Sequence, residues 1–472
     1  MALVQTSNQI GNISNTRMIV QATLANWKNY IGLLKHCKPR RDLFEGKVNG
    51  RRMKYGDTTF LDLPNSYTTG NGPDITNTLN GIQNVLVPFV INMHKHCAVQ
   101  ITSREKTLNI DDDPKSQEWL DQVVDPAVKN LIANVASDMT AQLTMGISSV
   151  YVTKESDGTI ATPGLNEWAQ ANAALERLGV PGYAYKVALS PDTSASSAVS
   201  MAQHYNPTMT IGDQTTKGRM TSPIGGVMEW YRDIYIPLCT TGSYTGGATA
   251  TGTVSPYVQS SQTSMPGFNT YYASFGSSVI SCSAISGTLN QGDFITIEGV
   301  YECNRLTGQS TGYLKTFTVM ENVTSGSTSI PVSPSIIGPK SNGGFSPFQT
   351  VASLPASGAA ITPVLPAGST YRRNVMFLDD TFYLAFVEMS LETPGAESSR
   401  VRGDLDESYF STIAAYQYNN TSMITTARCD ILGGGFAPFS DRGVIVPHVV
   451  STQTPATTKT FVVPKEISKI KT

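Results

Sequence analysis

The chain has 472 residues, with 34 Lys and Arg against 36 Asp and Glu, a net charge of −2 and a pI near 6.2. That balance argues against a general nucleic-acid binder, which carries a basic surplus, and the length exceeds the roughly 250–300 residues at which a single core divides into domains. Charged residues make up 15%, against about 25% in ordinary soluble proteins, and 40 Gly with 26 Pro point to a β-rich, loop-rich chain whose surface is largely covered by partners.

Residues 1–41 contain no acid but carry Arg17, Lys28, Lys35, Lys38, Arg40 and Arg41, and the basic character continues through Lys47, Arg51, Arg52 and Lys54. Val20, Leu24, Trp27, Ile31 and Leu34 fall at helical spacing. The stretch reads as an arm that meets nucleic acid or an acidic partner, or as a solvated helix face followed by a basic loop. Thr58–Pro64 and Val85–Ile91 read as two strands of a flap with loop chemistry at Tyr67–Gly72, and Cys97–Ile101 as a further strand. A lone hairpin is marginal in water, so an extended flap is expected to lie on a neighbour.

Asp111–Gly146 is the organising stretch. Asp111, Asp112 and Asp113 lead into a helix whose apolar stripe is Trp119, Leu120, Val124, Val128, Leu131, Ile132, Val135, Met139 and Leu143. Pro126 is expected to kink or divide it, leaving about 20 residues and roughly 30 Å of rod after it, and Gly146 to stop it. Next come a helix over Leu165–Leu178, a Gly179–Gly182 breaker, and a strand from Ala184 to Leu189 stopped by Ser190-Pro191.

Composition shifts at residue 234. No charge occurs from Ile234 to Gly292, or again from Ser341 to Tyr371. Between them Asp293–Val300 reads as a strand ending at a turn, with further strands at Lys315–Met320 and Ser327–Val332. This is a small β-barrel or sandwich, inserted at about 239–370. Asn374–Phe386 reads as two apolar strands about an aspartate turn. Thr425–Ile431 is a strand, Gly433–Pro438 a turn and Val444–Val450 the last strand. The tail from Ser451 is Thr-rich, then basic at Lys465, Lys469 and Lys471.

Catalytic chemistry is missing. The Asp111–Asp113 triplet lacks the spacing of an EF-hand. His94, His96 and Cys97 are a fragment of a metal site without a second ligand pair. Gly433-Gly434-Gly435 lacks the Lys-Ser/Thr of a phosphate loop, and Cys429 reads as a small buried residue. Asp293 and Glu298, on opposite faces of one strand, do not make a hydrolytic pair. The expectation is no enzyme, and no catalytic, cofactor-binding or metal residues. The six cysteines, without a CxxC pair, read as thiols of a reducing compartment. No apolar run long enough for a membrane and no leader pattern are found, so a soluble, non-secreted protein is expected.

In their order, the helix from Trp119 to Met139, the Leu165–Pro191 unit, the uncharged module around Gly292–Val300, the Asn374–Phe386 pair and the closing segment Arg428–Val446 resemble one family. It is the major capsid (coat) proteins of tailed bacteriophages of the P22 type, with an HK97-like fold. The fold class implied is α+β: a spine helix, a β-rich peripheral domain and an α/β axial domain, with an inserted small β-barrel. The corresponding divisions are an arm (1–54), an extended loop or flap (55–92), a peripheral domain with the spine (93–146), a first axial segment (147–238), the insertion (239–371), a second segment shared by the axial and peripheral domains (372–450) and a tail (451–472).

The resemblance implies a virion subunit that forms hexamers and pentamers of an icosahedral head and is assembled in the host cytoplasm. It implies scaffolding protein and portal as partners, decoration protein as a further one, and packaged double-stranded DNA through nonspecific contact at most. No membrane or cofactor is implied. Two features depart from the family. Its insertion-loop charges have no counterpart in Gly252–Tyr271, which offers Tyr257, Phe268 and Tyr271 instead, and its acidic arm residue has none before Asp42. Competing readings are a tail-tube or decoration protein and, further off, a carbohydrate-binding module.

Overall fold

The computed structural model describes residues 32–48, 51–54, 58–63, 73, 85–102, 125–155, 159–180, 185–202, 227–256, 278–339, 348–387, 389, 397–405, 408–419 and 421–450. The arm helix before Gly32, the Asp111–Val124 lead-in with Trp119 and Leu120, the Tyr67–Gly72 loop, Tyr257, Phe268, Tyr271 and the tail lie outside them.

Helix α1 spans Asp125–Met145. Pro126, where a kink or division is expected, lies at the edge of the described residues, and the helix runs unbroken from it to Met145. Val128, Leu131, Ile132, Val135, Ala136, Met139 and Leu143 are all buried, and each large one contributes roughly 1.5–3 kcal/mol of transfer free energy. The helix ends before Gly146, where an added Cβ would lie 2.7 Å from the Ala437 Cβ. Close approach, not a left-handed turn, selects this glycine.

The stripe of α1 fills the angle between two six-stranded sheets. In the first, the long strand Ile424–Phe436 pairs antiparallel with Ser408–Asn419, with Met93–Thr102 and with Tyr383–Phe386. In the second, Thr370–Phe377 lies between Gly443–Val449 and Tyr185–Leu189. Alternation along this sheet is clear: Val375, Phe377 and Ile445 join the α1 side, while Met376, Val444 and Val446 join Trp168, Ala171 and Leu175 of helix α2 (Leu165–Arg177). The second sheet is thus covered on both faces.

Two sequence expectations are extended here and a third is corrected. Ser190-Pro191 stops a strand as expected but also starts helix α3, Pro191–Ala202. Ser190 Oγ accepts from the Thr193 N–H at 3.3 Å, a side-chain cap ahead of a first-turn proline. The strands around Asp379-Asp380 enter different sheets. Thr381 enforces the parting: its hydroxyl accepts from the Leu378 N–H at 3.1 Å and donates to the Arg442 carbonyl at 3.1 Å. Gly433-Gly434-Gly435 is strand, not turn, paired with Phe386, Ala385 and Leu384.

The third sheet is all antiparallel and runs in the order Ala250–Pro256, Ser278–Cys282, Ser329–Ser333, Ser310–Val319, Phe294–Cys303, Ile361–Pro363. Its first and last strands are tied together, since the Ala250 N–H donates to the Ala359 carbonyl (2.8 Å) and the Ile361 N–H to the Ala248 carbonyl (2.9 Å). Its apolar interior is separate from that of the body. The strand expected to end near Val300 runs on to Cys303 through a register shift beyond Thr296, with Gly299 at φ 76°. Glycine tolerates that backbone, so the chain bends there without stopping.

Candidate functional site: three joints around the central helix

Three joints fix the appendages to the body. The first holds residues 32–39. Gly32–His36 forms a 3₁₀ turn with Leu33 and Leu34 buried. Asp233, itself buried, accepts from the Leu33 N–H at 2.7 Å and the Tyr235 N–H at 2.8 Å. Gly32 has φ 50°, and a Cβ there would fall 2.3 Å from the Asp233 carboxylate, so only glycine permits this clasp. Burial pushes the Asp233 pKa up, opposed by those two N–H groups. Beyond it Lys38–Pro39 adds a short parallel strand to Tyr383–Phe386. His36 stacks on Tyr231 with ring centroids 4.5 Å apart. Lys186 Nζ lies 3.3 Å from His36 Nδ1, 3.3 Å from Glu229 and 2.8 Å from Asp379. Burial first and Lys186 second hold the His36 pKa down.

The second joint seats the flap. Thr58–Leu63 pairs antiparallel with Val85–Val90, as expected. Its root lies on its own chain, with Leu61 and Phe89 packed against Phe44, Tyr383 and Ala385. The glycine run explains how. A Cβ on Gly434 would meet the Val90 carbonyl oxygen at 2.4 Å, one on Gly433 the Phe386 ring at 2.5 Å, and one on Gly435 the Leu143 side chain at 3.2 Å. The strand is bare because the flap presses on one face and α1 on the other.

The third joint carries the third sheet. Leu238–Thr240 leads into it and pairs antiparallel with Thr370–Phe377, which leads out, Thr240 standing opposite Thr370. Arg373, fully buried, sits at this stem. Its Nε donates to the Thr144 carbonyl in the last turn of α1 (3.1 Å), its Nη1 donates to the Gly292 carbonyl (2.8 Å), and the guanidinium lies over the Phe294 ring at 4.5 Å. A cation on terminal helix carbonyls also suits the helix dipole. Asp293 caps the same corner by accepting from the Gly242 and Asn290 N–H groups at 2.9 and 2.8 Å. Burial raises its pKa.

Further along, the hairpin Phe294–Cys303/Ser310–Val319 lies on the body. The Thr316 and Thr318 hydroxyls donate to the Ser148 and Ile147 carbonyls at 3.1 and 3.0 Å. Asn304 Nδ2 donates to the Arg177 carbonyl at 2.9 Å, and Arg177 lies over the Tyr313 ring at 4.1 Å. At the centre is Asp441, just before the last body strand. It receives Lys315 Nζ at 3.4 Å, the Ser148 hydroxyl at 3.1 Å and the Arg305 guanidinium. The Asp441 and Lys315 side chains are only 3% and 2% exposed. Burial alone would raise the Asp441 pKa, but Arg305 and Lys315 outweigh it and hold the carboxyl well below the ordinary range. An ion pair so enclosed joins two units in one register and offers nothing to a substrate.

The residues weighed for other chemistry are dispersed. His94 and His96 are exposed on one face of their strand, with His94 Nε2 3.1 Å from Asp430, while Cys97 faces the α1 side. Among the described residues no three His, Cys, Asp or Glu side chains form a metal-binding group, and no helix is long and apolar enough to cross a membrane. Asp293 is buried and Glu298 exposed. Cys429 is a buried strand residue. Of the joint residues, Asp293 and Gly433-Gly434-Gly435 stood out in the sequence only for other chemistry, whereas Asp233, Lys315, Arg373 and Asp441 escaped it. Their one visible signal was Arg372-Arg373 at the head of an apolar strand.

No curated protein matches the sequence. Among solved structures the chain is similar to one from Mycobacterium phage Che8, with 8% identity over 83% of this chain and 84% of that one and a TM-score of 0.37. Another is the bacteriophage PhiM1 mature capsid, with 8% identity over 86% and 91% and a TM-score of 0.37. A third is the CUS-3 coat protein I-domain, with 27% identity over 26% of this chain and 94% of that one and a TM-score of 0.16. The sequence profile of the P22 coat protein (gene protein 5) family matches residues 53–440, most of the chain. The chain therefore belongs to the P22 coat protein family, a family of structural proteins and not enzymes, and is a major capsid subunit that self-assembles into the shell of a phage head.

Proposed function

We propose that this subunit builds hexamers and pentamers of an icosahedral, HK97-like shell, with α1 as its spine and the third sheet as an inserted β-barrel domain. In this reading residues 93–146 with the first sheet make the peripheral domain. Residues 147–238 and a portion of 372–450 make the axial domain, 239–371 the insertion, and the arm (1–54) and flap (55–92) reach neighbouring subunits. The carrying observation is the stem, where Leu238–Thr240 and Thr370–Arg372 pair side by side at the edge of the body sheet. A sheet closed by its own end-to-end hydrogen bonds and mounted on such a stem has the architecture of an insertion. Assembly in the host cytoplasm with a scaffolding protein and a portal, with a decoration protein as an optional addition, completes the reading. DNA inside the shell would meet it through nonspecific contacts only, and no catalytic, cofactor or metal site is assigned.

The test is negative-stain microscopy of the chain expressed alone and together with the reading frames next to its gene. Closed shells with the scaffold frame, and spirals or aberrant shells without it, are expected. Open tubes in every combination would replace the icosahedral reading with a tail-tube one.

A further inference from the structure

We infer that Cys97 and Cys429 form an oxidisable pair, a disulfide site that ties the flap side of the first sheet to its central strand. The two residues stand directly opposite each other in the antiparallel register of Met93–Thr102 with Ile424–Phe436. Opposed residues in such a pair have Cα atoms about 4.5–5.5 Å apart, inside the roughly 4.4–6.8 Å span that a disulfide bridges. Both side chains point to the α1 side of the sheet, Cys429 within the core cluster and Cys97 packed against it. Both are thiols in this structure.

Their unequal exposure sets an order of events. Cys97 is half-buried and Cys429 is 4% exposed, so a small disulfide reaches Cys97 first. The Cys97 thiolate attacks one sulfur of oxidised glutathione, forming a mixed disulfide and releasing one glutathione thiolate. The Cys429 thiolate then attacks the Cys97 sulfur, forming the Cys97–Cys429 bond and releasing the second. The protons of the two protein thiols end on the two glutathione thiols, and two electrons pass from protein to glutathione. Burial raises the Cys97 pKa, which keeps the reaction slow and lets the pair remain reduced where the glutathione pool is reduced. A particle leaving such a compartment would acquire the bond afterwards. That timing rests on the cytoplasmic assembly proposed above, whereas the chemistry does not.

The test is to incubate the full-length, assembled chain with oxidised glutathione at mildly alkaline pH, quench with acid and map the peptides by mass spectrometry. The expected product is a peptide pair linked through Cys97 and Cys429, restored to thiols by dithiothreitol. The linked subunit should unfold at a temperature higher by roughly 5–10 °C. Cys429→Ser should stop the reaction at a glutathione adduct on Cys97, and Cys97→Ser, at the more exposed position, should leave Cys429 unmodified. Separate adducts on both cysteines of the natural chain, or unreacted thiols at both after prolonged oxidation, would overturn the inference. Shells that form normally but never link would reject this pair and leave the assembly reading intact.

Discussion

Helix α1 and the third sheet are both locked to the body, by opposite kinds of force. Between α1 and its sheets the contact is apolar and close: Val128 to Leu143 on one side, and Val375, Phe377, Cys429, Ile431 and Ile445 with the bare Gly435 on the other. Between the third sheet and the body the contact is polar and enclosed: Asp441 with Lys315, Arg305 and Ser148, and Arg373 on carbonyls. Apolar packing tolerates small slips and loses free energy in proportion to what is removed. A buried ion pair fails as a unit, because either partner left alone is a desolvated charge. One joint is graded and the other is all-or-none.

The largest break should come from forcing a charge into the graded joint. Leu131→Asp, or Val128→Asp, buries an unpaired carboxylate and should leave no soluble, assembling subunit; a normal yield from both would refute the assignment of that face. Next is Asp441→Ala, which strands Lys315 and should cost about 3–5 kcal/mol, read from urea unfolding followed by probes in the third sheet and in the body. Asp441→Leu combined with Lys315→Met should recover most of that loss. If the double change proves as damaging as the single one, the pair is not what sets the joint.

Gly434→Ala should cost about 1–3 kcal/mol by overpacking against the flap backbone and should raise proteolysis within the flap before the body unfolds. An alanine there that is neutral in both assays would mean the flap does not press on this strand.

The smallest effect is in pH. The Asp441 carboxyl is depressed in the folded chain, so its contribution is full above the unfolded value of about 3.9 and is lost as pH falls through the folded one. Asp233, Asp293 and Glu302 are raised by burial, so acidification first relieves their cost. The stability gap between the natural chain and Asp441→Asn should therefore hold from pH 7 to about 5 and narrow below about pH 4. A gap constant down to pH 2 would mean the carboxylate charge is not what holds Lys315.

What the sequence revealed and what it hid follow the same division. Periodicity found α1 and its buried face, because every residue of that stripe reports on its local neighbours. The strands Thr58–Leu63 and Val85–Val90 were visible from their local apolar runs, and the borders of the third sheet from the uncharged stretches beside it, but the pairing of its two ends was not. The triple glycine misled because its meaning lies in Val90 and Leu143, elements remote in sequence that occupy the space where side chains would be. Helix α3 was hidden by its serines, although Ser190-Pro191 with Thr193 carries a start signal. The ionic joint was illegible: Lys315 and Asp441 are 126 positions apart, and nothing local distinguishes either from a surface charge.

The side-by-side stem has a consequence for heredity. Because Thr240 and Thr370 face each other across one strand pair, the coding segment between them begins and ends at almost the same point in space. A recombination event could excise it, or exchange it for another module with neighbouring ends, and the remaining strand ends would need only a tight turn to rejoin. What such an exchange could not carry is Asp441, which is encoded downstream of both borders. A newcomer without its own Lys315 would inherit a buried carboxylate with no partner from its side, so the body itself selects which modules it can accept.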